Sequence, residues 1–119
     1  MNWLMVFIGG GLGSLARYGI SIMLKNAHWT FPTATLISNI AASFIIGVLS
    51  GLSLKGSVSS AQKLLLATGF CGGFSTFSTF SNETLHLFQN GTTTMAIINI
   101  AVSVFLCLAA TFLGLKLSL

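Results

Sequence analysis

Long stretches of this chain carry no formal charge. No Asp, Glu, Lys or Arg occurs from Asn26 to Leu54, or from Thr84 to Leu115. Over all 119 residues only 5% are charged and 54% are hydrophobic, whereas a soluble domain carries about 25% charged residues. Five cations and one carboxylate cannot cover the surface of a water-soluble protein of this size. The solvent for most of that surface is therefore a lipid bilayer. The length fits one domain, residues 1–119,.

Charged and turn-forming residues divide the chain into four apolar runs, at about 3–24, 31–54, 61–88 and 93–115. Each is long enough for a helix to cross the hydrocarbon core, which takes about 20 residues. The connections Lys25–Thr30, Lys55–Ser60 and Gln89–Thr92 are short and polar. Pro32 stands where a first helical turn tolerates it. The fold class expected is an all-α membrane protein with four transmembrane helices. Gly9 with Gly13, and Gly47 with Gly51, form GxxxG pairs of the kind that let helix backbones approach closely in lipid,. The run from Gly9 to Ser14 lacks the GxGxxG spacing, and no strand precedes it, so it is not a nucleotide loop.

The third run differs from the others. Gly69, Gly72 and Gly73 lie near its middle, followed by Ser75-Thr76-Phe77-Ser78-Thr79-Phe80-Ser81. Glycine permits non-helical backbone, so the third helix is expected to break mid-membrane, near 71–76. Such a break is tolerated only where protein or water covers the freed backbone groups, and paired half-helices of this kind hold ions in transporters. The competing reading is a continuous helix with a glycine face for packing.

The cations Arg17, Lys25, Lys55, Lys63 and Lys116 are scattered near helix ends instead of forming a nucleic-acid patch. Their plain reading is anchoring at lipid headgroups, and a sharper one is that some draw anions toward a pore mouth. Four spans put both termini on one side, together with Lys55, Lys63 and Lys116, and leave Lys25 and Arg17 toward the other. So near a balance gives the positive-inside rule almost nothing to act on. Copies inserted in both orientations would pair as an antiparallel, dual-topology homodimer with closed two-fold symmetry. Cys71 and Cys107 form no metal-binding pattern,. The N-terminus lacks the basic region of a signal peptide, so the first helix is read as retained.

Buried polar groups need partners. Thr35, Asn39 and Ser43 recur on one face of the second run, and Asn99 and Ser103 on one face of the fourth. Phe77 and Phe80 share a face of the third. These residues suit a narrow passage of hydroxyls, amides and aromatic edges, which without a carboxylate favours an anion over a cation. Interhelical hydrogen bonding is the alternative, and for Asn99 and Ser103 the two readings stand level. Glu83 is the only acid, with Arg17 a candidate partner. His28 has no assigned role, and His86 reads as interfacial.

The segment Gly69-Phe70-Cys71-Gly72-Gly73-Phe74-Ser75-Thr76-Phe77-Ser78-Thr79-Phe80-Ser81-Asn82-Glu83 resembles the third-helix signature of the bacterial fluoride channels, the Fluc or CrcB family. Gly9-Gly10-Gly11-Leu12-Gly13-Ser14-Leu15-Ala16-Arg17-Tyr18 is similar to the first-helix motif of that family, and Thr35-Leu36-Ile37-Ser38-Asn39 to its second-helix motif. The resemblance implies a dual-topology homodimer in the bacterial inner membrane with two parallel pores for fluoride. It implies that Phe77 and Phe80 offer ring edges to the ion, that Asn39 donates its amide, and that the Ser78 and Thr79 hydroxyls lie nearby. Thr35 belongs with these, and Asn99 and Ser103 carry over weakly. It also implies a central structural Na+ held by main-chain carbonyls of Gly72 and Ser75 from each subunit. Arg17 and Glu83 match motif positions of a structural or vestibule kind. Ser75 stands where threonine is common, and Phe74 where a smaller apolar residue is common. A small multidrug exporter, another four-helix dual-topology dimer, would need a glutamate in the first helix, and none is present. An assembly subunit would leave the hydroxyl run without a task. No nucleophile–base pair, metal cluster or phosphate loop points to an enzyme.

Overall fold

The computed structural model describes residues 1–25 and 31–119. Residues 26–30 of the first connection, including His28, lie outside the described residues. Among the described residues the chain is helical, without strands. We number the helices α1 (Asn2–Met23), α2 (Thr33–Leu54), α3 (residues 60–74), α4 (Phe77–Gln89) and α5 (Thr93–Ser118). Within α3, a π-helical stretch, Leu64–Cys71, is flanked by the α-helical turns Ser60–Lys63 and Gly72–Phe74. Three helices, α1, α2 and α5, are each long and apolar enough to cross a membrane.

Chain-reversal chemistry is visible at three ends. Ser59 caps α3 through a reciprocal pair, its hydroxyl accepting from the Gln62 N–H and the Gln62 side chain accepting from the Ser59 N–H,. After α2 and α4 the chain turns through Gly56 and Gly91, at φ 74° and 78°. At the second turn Thr92 N–H reaches back to Leu87 O and Gly91 N–H to Phe88 O, which satisfies two orphan carbonyls,.

The helices associate as two close pairs, α1 with α3 and α2 with α5. Glycine permits each pairing. A Cβ on Gly9 or Gly13 would strike the backbone of α3 at Leu65 or Phe70, and one on Gly73 would strike Gly10 O. A Cβ on Gly47 would strike Thr111 O, and one on Gly114 would strike Phe44 O. Such contact replaces the hydrophobic driving force that is missing between helices in lipid. Between the pairs lies a small core of Ala42, Cys71 and Phe74, flanked by Ala16, Ile20 and Ile45. Outside it the surface is apolar: Trp3, Phe7 and Phe105 are 90%, 78% and 71% exposed. Water does not tolerate so much contiguous apolar surface, whereas lipid or a partner chain does.

The interruption lies at Ser75 and Thr76, both in extended backbone. This corrects the role expected of the glycines. Gly72 and Gly73 are helical, with no positive φ, and Gly69 and Gly73 serve close packing against α1.

Candidate functional site

A helix that stops inside a protein leaves its last carbonyls without partners. At the end of α3 these are shared out unequally. Cys71 O accepts from the N–H and the hydroxyl of Ser75, at 2.9 and 2.7 Å. Gly73 O accepts from Arg17 Nε at 3.2 Å. Gly72 O would ordinarily take the N–H of Thr76, four residues on. That N–H donates instead to Asn39 Oδ1 at 2.8 Å, and Asn39 Nδ2 donates to Thr76 O at 3.3 Å. The Asn39 amide thus pairs with both polar groups of Thr76 as a neighbouring strand would, and Thr76 has strand-like dihedrals, φ −152° and ψ 124°. The Thr76 hydroxyl then starts α4 by accepting from Thr79 N–H at 3.2 Å. It also donates to Thr79 Oγ1 and lies 3.2 Å from Ser78 Oγ. A cap of this kind contributes about 1 kcal/mol.

Beside the break, a recess of about 280 Å³ opens on the face formed by α2, α4 and α5. Asn39 and Ser43 of α2, Ser75 and Thr76 of the break, Phe77 and Phe80 of α4, and Ser103, Val104 and Cys107 of α5 line it. No Asp, Glu, Lys or Arg is among them. The Phe77 and Phe80 rings lie 5.7 Å apart, tilted by 40°. Phe77 is 79% exposed, so its ring projects beyond the chain's own packing. One N–H of Asn39 is engaged by Thr76. The amide nitrogen carries a second, available to whatever enters the recess.

Thr35 and Thr79 belong to a second recess of about 220 Å³, which they share with Arg17, Tyr18, Ser21, Ala34 and Glu83. The two recesses share no lining residue, although both draw on α2, through Thr35 and Asn39, and on α4, through Thr79 and Phe80. Arg17, a candidate partner for Glu83, makes no ion pair with it among the described residues. Arg17 turns to the carbonyl that the break exposes on α3, the helix against which α1 packs. Glu83 Oε1 is buried with no hydrogen-bond partner among the described residues. Ser78 is exposed and touches only the Thr76 hydroxyl among these groups.

Asn99 is 1% exposed and lines neither recess. It donates to Thr84 Oγ1 at 2.9 Å and accepts from Ser103 Oγ at 3.2 Å, and Thr84 in turn donates to Phe80 O at 2.7 Å. This chain ties α5 to α4 behind Phe80. Ser103 serves both the network and the recess wall. Thr76, Thr84 and Cys107 were not singled out from the sequence. Thr76 was legible as a cap, three residues before Thr79. Cys107 lies one helical turn after Ser103 and had only that spacing to mark it.

The family model described as CrcB-like protein, Camphor Resistance (CrcB), matches residues 4–115. The chain belongs to the CrcB family. Curated CrcB relatives align over nearly their whole length. The protein named fluoride-specific ion channel FluC in Pyrococcus abyssi is 48% identical over 116 residues, covering 97% of this chain and 94% of the relative. The protein of the same name in Thermus thermophilus is 44% identical over 117 residues, covering 98% and 94%. That of an Enterobacter species is 45% identical over 112 residues, covering 93% and 88%. The CrcB match runs from the first turn of α1 to the last turn of α5, so the interrupted α3–α4 segment lies within it.

Proposed function

We propose that this chain is the subunit of a fluoride-selective channel that lets fluoride leave the cytoplasm passively across the bacterial inner membrane. The observation that carries this reading is the uncharged recess at the break, walled by an amide, hydroxyls and two phenylalanines. The names of the CrcB relatives support fluoride as the ion. Fluoride is small and strongly hydrated, so a pathway must replace lost water with donors yet hold the ion weakly enough to release it. Neutral donors at Asn39 and Ser43 meet both needs, and the partly positive edges of Phe77 and Phe80 extend the line. A lysine in the recess would bind too tightly.

In this reading the segment 60–89 crosses the membrane as a fourth, broken span, and the recess is closed by a second, antiparallel copy. The dimer holds two such pathways. The carbonyls of Gly72 and Ser75 fit a central Na+: no donor among the described residues meets Gly72 O, and broken helices offer hard oxygen donors of this kind to Na+. When bound, the ion would offset the partial negative charge of carbonyls from two subunits and favour an anion nearby. Thr35, Thr79 and Glu83 would continue the path through the second recess toward the membrane surface.

The test is efflux from liposomes holding the purified protein, read with a fluoride electrode beside a matched chloride assay. Fast fluoride release without chloride release is expected. No fluoride release from well-folded dimers would overturn the reading.

A further inference from the structure

We infer that Asn39 is a positioning residue for the carbonyl cradle: its side chain holds the Thr76 peptide away from α3 and so keeps the Gly72 carbonyl free for a cation. This rests on the sodium reading above.

The local chemistry allows two states for Gly72 O. If α3 ran one residue further, the Thr76 N–H would bond to it and remove it from use. A carbonyl already engaged by a backbone donor is a poorer ligand for a hard cation, which needs that lone-pair density. Asn39 removes the competitor. Its Oδ1 takes the Thr76 N–H at 2.8 Å while its Nδ2 holds the Thr76 carbonyl at 3.3 Å. Both contacts are needed. The first withdraws the donor, and the second fixes the peptide plane so that the donor cannot swing back. The neighbouring carbonyls are occupied, Cys71 O by Ser75 and Gly73 O by Arg17. Gly72 O, like Phe74 O and Ser75 O, meets no donor among the described residues, and Gly72 is exposed, with open space where a Cβ would stand.

The clamp also links two functions across the subunit. Asn39 lines the recess on α2, while Gly72 lies at the end of α3, with no hydrogen bond of its own to α2. An asparagine that lines an anion path therefore also sets the geometry of a cation site. Two outer-shell hydrogen bonds of this kind control metal affinity by about 10- to 100-fold in other proteins.

The experiment is thermal unfolding of the purified protein in detergent across a Na+ series, with choline replacing Na+ at constant ionic strength. The wild type is expected to gain thermal stability as Na+ rises, with a defined midpoint. Asn39→Ala is expected to raise that midpoint by about 10- to 100-fold. General loosening would lower the melting temperature at every Na+ concentration without moving the midpoint. A wild-type midpoint in Asn39→Ala would overturn the clamp proposal and leave the sodium reading standing. No Na+ response in the wild type would overturn both. Should Asn39→Ala fail to fold, amide exchange in the wild type decides. Thr76 N–H lies outside any helix yet is expected to be protected, and exchange at the rate of an open loop would overturn the proposal.

Discussion

Phe80 contributes more than bulk to the recess. Its ring lies 5.7 Å from that of Phe77, and its carbonyl is held by the Thr84 hydroxyl at 2.7 Å. That hydroxyl is itself fixed by Asn99. The backbone that carries the ring is therefore braced from α5, and the ring's place does not depend on side-chain packing alone. An aromatic edge offers partial positive charge to an anion, and an aliphatic side chain of similar volume offers none. Phe80→Ile should leave the fold intact, because a hydrophobic swap of similar size costs under about 1.5 kcal/mol. Fluoride efflux should fall by about tenfold or more, the equivalent of some 1.4 kcal/mol of lost stabilisation along the path. Efflux from liposomes of matched protein content measures this, and an unchanged rate would remove the ring edges from the pathway.

At the scale of the helix, small residues govern contact between backbones. Gly13 has the Phe70 carbonyl and the Phe74 amide where a side chain would stand, and neither can move without displacing α3. Gly13→Val should therefore destabilise the protein by about 2 kcal/mol or more, as overpacking of a tight contact does. A lower melting temperature by size-exclusion thermostability would register it. Gly72→Ala is the contrast, since nothing in the same chain lies near its Cβ position, and it should leave the pairing of α1 with α3 intact. The GxxxG spacing at Gly9 and Gly13, and at Gly47 and Gly51, made these contacts legible in the sequence, though not which helix each would meet. The broken third run was also marked, by glycines followed by hydroxyls, but the cause was misassigned. Glycine composition alone does not distinguish a backbone that leaves the helix from one that needs room. At the break the Thr76 N–H goes to Asn39, 37 positions away in sequence, and no local pattern shows that pairing. The same limit applies to Arg17, whose partner proved to be a main-chain carbonyl and not the one carboxylate in the chain. A side-chain list contains no main-chain acceptors, so composition pointed to Glu83. Asn99 was undecided between a pore wall and a helix tie, and its burial and its bonds to Thr84 and Ser103 are not visible in a sequence.

At the scale of the whole molecule, the chain leaves an opening on the face formed by α2, α4 and α5, where Phe77 projects with little cover. A second copy is the proposed cover, and its orientation follows from charge. Lys55, Lys63 and Lys116 oppose Lys25 and Arg17, a difference too small to direct insertion. An exposed residue in the connection after α2 reports orientation. Ser57 is exposed, and Ser57→Cys leaves the charge balance untouched. A membrane-impermeant maleimide applied to sealed, right-side-out vesicles should label about half of this variant, and all of it after the membrane is opened, if insertion is unbiased. Cys71 is buried, and Cys107 lies within the recess wall, so the parent protein supplies the background. Adding positive charge at the same place tests the cause. Ser57→Arg increases the excess on the side of Lys55 and should favour one orientation. Antiparallel pairs then run short, and fluoride efflux per mole of protein should drop. Co-expression with a variant biased the other way, such as Lys55→Gln with Lys63→Gln, should restore it, because each population supplies the partner the other lacks. Equal efflux from the biased variant alone would mean that parallel copies suffice, and the antiparallel closure of the recess would be wrong.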